Sequence, residues 1–157
     1  MAGDPSDIRN WQRRPDGITT SGKLEARDPA RLAAIGVRHV VNLALDSHPE
    51  ALAEEAALLA AEGIAYTHIP VPFDAPTPEH VAALAEALAA HPGATHVHCI
   101  MNYRVTAFFY LLDCAAGVPE PEARARMAKV WNPIEDERAP LAWRALLRGG
   151  QSPAGPV

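Results

Sequence analysis

One segment, from His98 to Thr106, combines a nucleophile with side chains that bind anions. Cys99 ends an apolar stretch, Arg104 follows five positions later, and Thr106 comes two positions after the arginine. If a strand runs into a helix here, the unpaired N–H groups and partial positive charge of the helix N-terminus stabilise a thiolate and attract a phosphate-like dianion. The guanidinium adds paired hydrogen bonds to that anion. The spacing therefore predicts a site for cysteine-dependent phosphoryl transfer.

The elements around this segment alternate between strands and helices. Apolar, β-branched runs predict strands at residues 18–24, 37–45, 64–71 and 95–99. Apolar residues at helical spacing, bounded by Pro and Gly, predict helices at residues 28–34, 49–62, 78–90, 104–116, 121–130 and 137–147. This order predicts an α/β fold with a mostly parallel central sheet flanked by helices. In such sheets, sites form beyond the carboxyl ends of the strands, which is where Cys99 stands.

The composition is that of a globular protein. The chain has 157 residues, of which 48% are hydrophobic and 21% charged, and this length suits one domain. The formal net charge of −5 argues against nucleic-acid binding. The sequence contains no run of 18 apolar residues, so we expect no membrane-spanning helix. The N-terminus shows no signal-peptide pattern. We expect a loosely ordered N-terminal arm (1–16), one domain (17–148) and a disordered tail (149–157).

The chain contains two cysteines, Cys99 and Cys114. If both lie on one strand–helix unit, they are about 15 Å or more apart, at about 1.5 Å per helical residue. A disulfide needs Cα atoms within about 7 Å of each other. Two unpaired thiols are typical of a reducing compartment, so we expect the protein to be cytoplasmic.

The segment His98-Cys99, followed by four residues and then Arg104-Val105-Thr106, resembles the phosphate-binding loop of protein tyrosine and dual-specificity phosphatases. Other segments resemble a bacterial branch of that superfamily, with four residues between Cys and Arg: residues 20–22, 41–45, 54–56, 68–71, 75–77, 102–105 and 127–133. The similarity covers about residues 8–148. It implies a single-domain cysteine-phosphatase-like fold that hydrolyses phosphomonoesters through a cysteinyl-phosphate intermediate, without metal or organic cofactor.

The resemblance also implies roles for individual residues. Cys99 corresponds to the nucleophile, and His98 and Thr106 to supporting residues, of which His98 organises the loop and Thr106 hydrogen-bonds the sulfur or aids hydrolysis. The general acid is expected to be Asp74, in the proline-flanked loop after the strand at 64–71, with Asp46 as the reserve candidate. The phosphate is expected to bind to the Arg104 side chain and to the backbone of Ile100, Met101, Asn102, Tyr103, Arg104 and Val105.

The loop departs from the usual phosphatase signature, which has five residues between Cys and Arg. Four residues separate Cys99 from Arg104, while Thr106 keeps its usual place seven positions after the cysteine. One position on a helix means about 100° of rotation and 1.5 Å of rise, so Arg104 reaches the phosphate from another side or from a tighter loop. Residues 100–103 include no glycine, and among them only Asn102 readily adopts a positive φ.

Two other functions fit the same residues. A rhodanese-type sulfurtransferase also carries a cysteine loop between a strand and a helix, and four intervening residues suit that loop. A phospho-ligand-binding module with weak catalysis is the third possibility. His96 and His98 share a strand face, but no third ligand is suitably spaced, so no metal is expected. The expected partner is a phosphorylated protein or small phosphomonoester, and neither nucleic acid nor membrane.

Overall fold

The strand-forming runs build one five-stranded sheet in the computed structural model, which describes residues 3–151. Its order is β1-β2-β5-β3-β4; β1 pairs antiparallel with β2, and the other neighbours are parallel. The strands are β1 (Gln12–Arg13), β2 (Thr19–Ser21), β3 (His39–Asn42), β4 (Ala65–His68) and β5 (Thr95–His98). The predicted α/β fold with a mostly parallel sheet is confirmed.

Helices cover both faces of the sheet. They are α1 (Asp28–Ala34), α2 (Glu55–Ala61), α3 (Pro78–Ala90), α4 (Tyr103–Ala115), α5 (Glu120–Ala128) and α6 (Leu141–Gln151). Successive strand residues face opposite sides, so Val40 packs with α1 and α2, whereas Val41 packs with α3 to α6. The predicted single domain is therefore a three-layer α/β/α arrangement. None of the helices within residues 3–151 has the length and apolar character needed to cross a membrane.

Several parts of the chain differ from the sequence-based expectations. The helix predicted at 137–147 begins only at Leu141. The helix predicted at 49–62 is wrong in its first half: Glu54 adopts a left-handed backbone (φ 61°), which breaks the helical path, and α2 begins at Glu55. Within the predicted arm, β1 joins the sheet and Ile8 is buried, so this part packs against the domain. The predicted tail overlaps the last turn of α6, and residues 152–157 lie outside the described part of the chain.

The strand register places several loops at one edge of the sheet. His98, the last residue of β5, lies opposite Ser21 at the end of β2 and Asn42 at the end of β3. The four parallel strands therefore end together, and the segments that follow them meet above this edge. Cys99 is the first residue beyond β5.

A buried polar cluster lies under this edge, centred on His96. Its Nε2 lies 2.8 Å from the hydroxyl of Ser21, which itself donates to the Gly22 carbonyl, so Nε2 must carry the hydrogen. Nδ1 then accepts from Thr19 Oγ1 at 2.8 Å. Full burial, with the charge of neighbouring His98, holds the pKa of His96 well below the ordinary value of 6.5.

We expect acid to destabilise the fold below pH 6.5 because of His96 and His39. Burial, and to a lesser degree the charge of His91, lowers the pKa of His39 to about 4. Both rings stay neutral in the folded chain and bind protons in the unfolded chain. The free energy of unfolding should therefore fall by up to about 1.4 kcal/mol per pH unit for each histidine as the pH drops from 6.5 towards 4.5. Urea titrations of wild type and His96→Gln test this: the variant should show the shallower slope, and equal slopes would contradict it.

Candidate active site

The loop between β5 and α4 carries the predicted nucleophile. Cys99 is fully buried, and no hydrogen bond from a residue within 3–151 reaches its Sγ. Asn102 precedes the first residue of α4 and has φ 67°, so the turn uses the residue that the sequence singled out for a positive φ. Tyr103 and Arg104 follow in the first helical turn. The loop therefore brings the cysteine, the helix N-terminus and the arginine together.

A cavity of about 390 Å³ opens above this loop. Five of the residues at its wall were predicted for the site, namely Cys99, Ile100, Met101, Tyr103 and Arg104. The other four come from the segments after β3 and β4: Leu45, Ser47, His48 and Phe73. The wall combines apolar and aromatic side chains with the polar groups of Ser47, His48 and Arg104. This arrangement is typical of a small-molecule or side-chain binding pocket.

Arg104 is buried, with 6% of its surface exposed, and faces this cavity. Its Nη1 donates to the Val71 carbonyl at 2.9 Å, which anchors the side chain to the segment after β4. The guanidinium carbon lies 5.8 Å from the Phe73 ring. Its Nε is buried and has no hydrogen-bond partner. A buried charged donor without an acceptor is costly.

His98 links the loop to α2. Its Nδ1 lies 3.1 Å from the Cys99 carbonyl, and because a carbonyl only accepts, Nδ1 carries a hydrogen. Its Nε2 lies 2.6 Å from Oε2 of buried Glu55. His98 thus connects the Cys99 carbonyl to α2, and its role in organising the loop stays a prediction. Glu55 was not assigned to the site from the sequence, although its segment carried part of the resemblance.

Thr106 lies close to the loop but does not bond the cysteine. Its hydroxyl donates to the Asn102 carbonyl at 2.9 Å and also lies 3.3 Å from the Tyr103 carbonyl. It therefore stabilises the first turn of α4 rather than the sulfur. Tyr103 stacks on Trp131, with ring centroids 4.8 Å apart, and this contact orients the tyrosine beside the cavity.

The two carboxylates considered as proton donors lie outside the cavity wall. Asp74 is exposed and follows the wall residue Phe73. Asp46 is also exposed, with its carboxylate 3.9 Å from Nδ1 of His68. His48, which the sequence analysis did not select, does line the cavity. The sequence feature that could have identified His48 is its position in the segment after the parallel strand β3.

The described residues offer no metal site: residues 3–151 contain no group of three His, Cys, Asp or Glu side chains arranged to hold an ion. His96 and His98 stack with ring centroids 6.3 Å apart, and each has partners of its own within the protein. Both cysteines are free thiols.

Comparisons with known proteins agree with this architecture. The family of the phosphatase-like domain of beta-lactamase hydrolase-like proteins matches residues 12–116. A candidate phosphatase of known structure from Shewanella putrefaciens CN-32 is 33% identical, with a TM-score of 0.79 over 92% of this chain and 90% of that one. A search of curated proteins found no match.

More distant structures share the fold. TpbA from P. aeruginosa, solved in complex with pTyr, is 22% identical, with a TM-score of 0.69 over 95% of this chain and 88% of that one. A candidate phosphatase from Neisseria meningitidis Z2491 is 17% identical, with a TM-score of 0.69 over 89% of this chain and 96% of that one. The expected cysteine-phosphatase-like fold is confirmed. The chain belongs to the family of phosphatase-like domains of beta-lactamase hydrolase-like proteins.

Proposed function

We propose that this protein is a cysteine-dependent phosphatase that hydrolyses phosphomonoesters, of the protein tyrosine or dual-specificity type. The observation that carries the proposal is that Cys99 and the buried side chain of Arg104 line one cavity at the start of α4. Nucleophile, helix N-terminus and guanidinium together suit a tetrahedral dianion. Membership of a phosphatase-like family supports the same reaction class.

The proposed reaction has two steps. The Cys99 thiolate attacks phosphorus, the bond from phosphorus to the leaving oxygen breaks, and that oxygen takes a proton from a general acid. Water then attacks the cysteinyl phosphate, the sulfur–phosphorus bond breaks, and the deprotonated acid takes a proton from the water, which releases inorganic phosphate and regenerates both the thiolate and the acid. In both steps the backbone N–H groups of residues 100–105 and the Arg104 guanidinium bind the non-bridging oxygens. His98 holds the loop in place, and Thr106 supports the first turn of α4.

The cavity wall favours an aromatic leaving group. Leu45, Phe73 and Tyr103 supply apolar and aromatic surface beside the cysteine. A phenyl ring packs well against such a wall, whereas a small polar metabolite leaves it exposed to water. The structural neighbour solved with pTyr supports this choice of substrate.

The two free cysteines support the predicted cytoplasmic location.

Asp74 is the proposed general acid because its loop contributes Phe73 to the cavity wall. In Asp74→Asn, kcat for a phosphate ester with a poor leaving group should fall by about 10²–10⁴-fold. Asp46→Asn is the matched control and should keep the wild-type kcat. If Asp74→Asn also keeps the wild-type kcat, Asp74 is not the acid, and His48 at the cavity wall becomes the group to replace.

The proposed reaction is tested by comparing two assays on the wild-type protein. One measures release of phosphate from an aryl phosphate, and the other measures transfer of sulfur from thiosulfate to cyanide. We expect turnover in the first assay and background in the second. The reverse result would assign a rhodanese-type sulfurtransferase. Phosphate binding with background rates in both would assign a phospho-ligand-binding module.

A further inference from the structure

The loop after β5 must turn several N–H groups towards one point without the help of glycine. Residues 100–103 contain no glycine, and Asn102 alone among them adopts a positive φ. In a trans peptide the C=O and the next N–H point in opposite directions. A carbonyl held away from the cavity therefore turns the following N–H towards it. Donors outside the loop can thus orient the loop amides.

The first two loop carbonyls are held by neighbours in this way. The Cys99 carbonyl accepts from His98 Nδ1 at 3.1 Å, and the Ile100 carbonyl accepts from the Lys23 N–H at 2.9 Å. Gly22 permits the second contact, because a Cβ at this position would lie 2.5 Å from the Ile100 oxygen. No backbone carbonyl within residues 3–151 accepts from the N–H groups of Ile100, Met101 or Asn102.

The third carbonyl, that of Met101, is held by the N-terminal segment. Asn10 Nδ2 donates to it at 2.9 Å, and Asn102 Nδ2 donates back to the Asn10 carbonyl at 2.8 Å. Asn102 is fully buried and also donates to Thr20 Oγ1 at 3.0 Å. Asn10 itself has a left-handed backbone (φ 51°), which asparagine tolerates better than most residues. Two asparagines 92 positions apart thus exchange hydrogen bonds across the loop.

The neighbouring residue, Arg9, keeps this segment in register with the sheet. Its carbonyl accepts from the Gly22 N–H at 2.7 Å. Its guanidinium pairs with Glu50 at 2.7 Å and reaches the Ile100 carbonyl only at 3.4 Å. The side chain that holds the third peptide is therefore that of Asn10.

We propose that Asn10 is a positioning residue of the anion site: its amide holds the Met101 carbonyl outward and thereby turns the Asn102 N–H towards the phosphate. This role rests on the proposed phosphatase function. In many anion-binding loops, glycine residues allow the backbone to turn its N–H groups towards the anion. Here the contact from Asn10, in the N-terminal segment, supplies part of that function. Asn10 itself lies outside the cavity wall.

The test compares Asn10→Gly and Asn10→Ala with Arg13→Ala. Glycine keeps φ 51° accessible, so Asn10→Gly removes only the amide, whereas Asn10→Ala adds backbone strain. Arg13 lies on the same segment, pairs with Asp4 and touches no loop carbonyl. Three quantities are measured for each protein. Titration calorimetry gives the affinity for inorganic phosphate, steady-state kinetics with an aryl phosphate give kcat and KM, and thermal melting gives the stability.

Both Asn10 variants should bind phosphate about five- to tenfold more weakly per folded molecule. This is the effect expected when the hydrogen bond to the Met101 carbonyl is lost and the Asn102 N–H is no longer held towards the phosphate. Their kcat should fall by a similar factor. Asn10→Ala should melt below Asn10→Gly yet bind phosphate equally weakly, which separates the lost donor from strain. Arg13→Ala should match wild type in affinity and kcat.

Two results overturn the proposal in distinguishable ways. If wild type binds and hydrolyses phosphate esters but both Asn10 variants match Arg13→Ala, only the role of Asn10 is wrong. If wild type neither binds phosphate nor turns over the ester, the phosphatase function is wrong and the role of Asn10 falls with it.

Discussion

Replacing Cys99 with serine is expected to lower aryl-phosphate turnover by a factor on the order of 10⁴ or more, because a neutral hydroxyl is a far weaker nucleophile than a thiolate. The substitution changes one atom in a fully buried side chain, so the loop should keep its shape. The affinity for inorganic phosphate should therefore remain at the wild-type value. Steady-state kinetics and titration calorimetry on the same protein sample measure the two quantities.

Cys114→Ser is the matched control. Cys114 lies in the same helix, α4, and burial together with the nearby Glu120 carboxylate raises the pKa of its thiol. It lies outside the cavity wall, so its replacement should leave turnover unchanged. Full turnover in Cys99→Ser, or equal losses in both variants, would rule out Cys99 as the nucleophile.

The second large effect is expected at Arg104. Arg104→Lys keeps the positive charge but loses the planar fork, which can hold the Val71 carbonyl and two phosphate oxygens at once. We expect kcat/KM for an aryl phosphate to fall by about 10²-fold in Arg104→Lys and about 10³-fold in Arg104→Ala. The affinity for inorganic phosphate should fall in the same order.

Arg126→Lys provides the control for this pair of variants. Arg126 is an arginine of α5 that pairs with Asp113 and lies outside the cavity. Its substitution should alter neither kcat nor phosphate affinity. Arg104→Lys with wild-type kcat would show that a point charge suffices and that the guanidinium geometry does not contribute to turnover.

Four residues separate Cys99 from Arg104, one fewer than in the usual signature. Arg104 lies in the first turn of α4, and its Nη1 contacts the segment after β4. The two Arg104 variants therefore measure what an arginine in this position contributes to turnover.

Much of the fold followed from local patterns. Helices α1 and α3 begin and end where Pro, Gly and apolar spacing predicted them, because these signals act within a few residues. The strand–loop–helix unit around Cys99 was predictable for the same reason. The start of α2 was not, because the left-handed backbone of Glu54 has no glycine or proline to mark it.

Some contacts of the candidate site could also be predicted from local sequence, and others could not. That Cys99, Arg104 and the N-terminus of α4 lie close together follows from local sequence, since only four residues separate Cys99 from Arg104 and the helix begins between them. The folded chain was needed to show that Glu55 contacts His98, that Gly22 makes room for the Ile100 carbonyl, and that Asn10 contacts the Met101 carbonyl. Such contacts join residues tens of positions apart through sheet order and loop paths, and no periodic signal in the sequence encodes them.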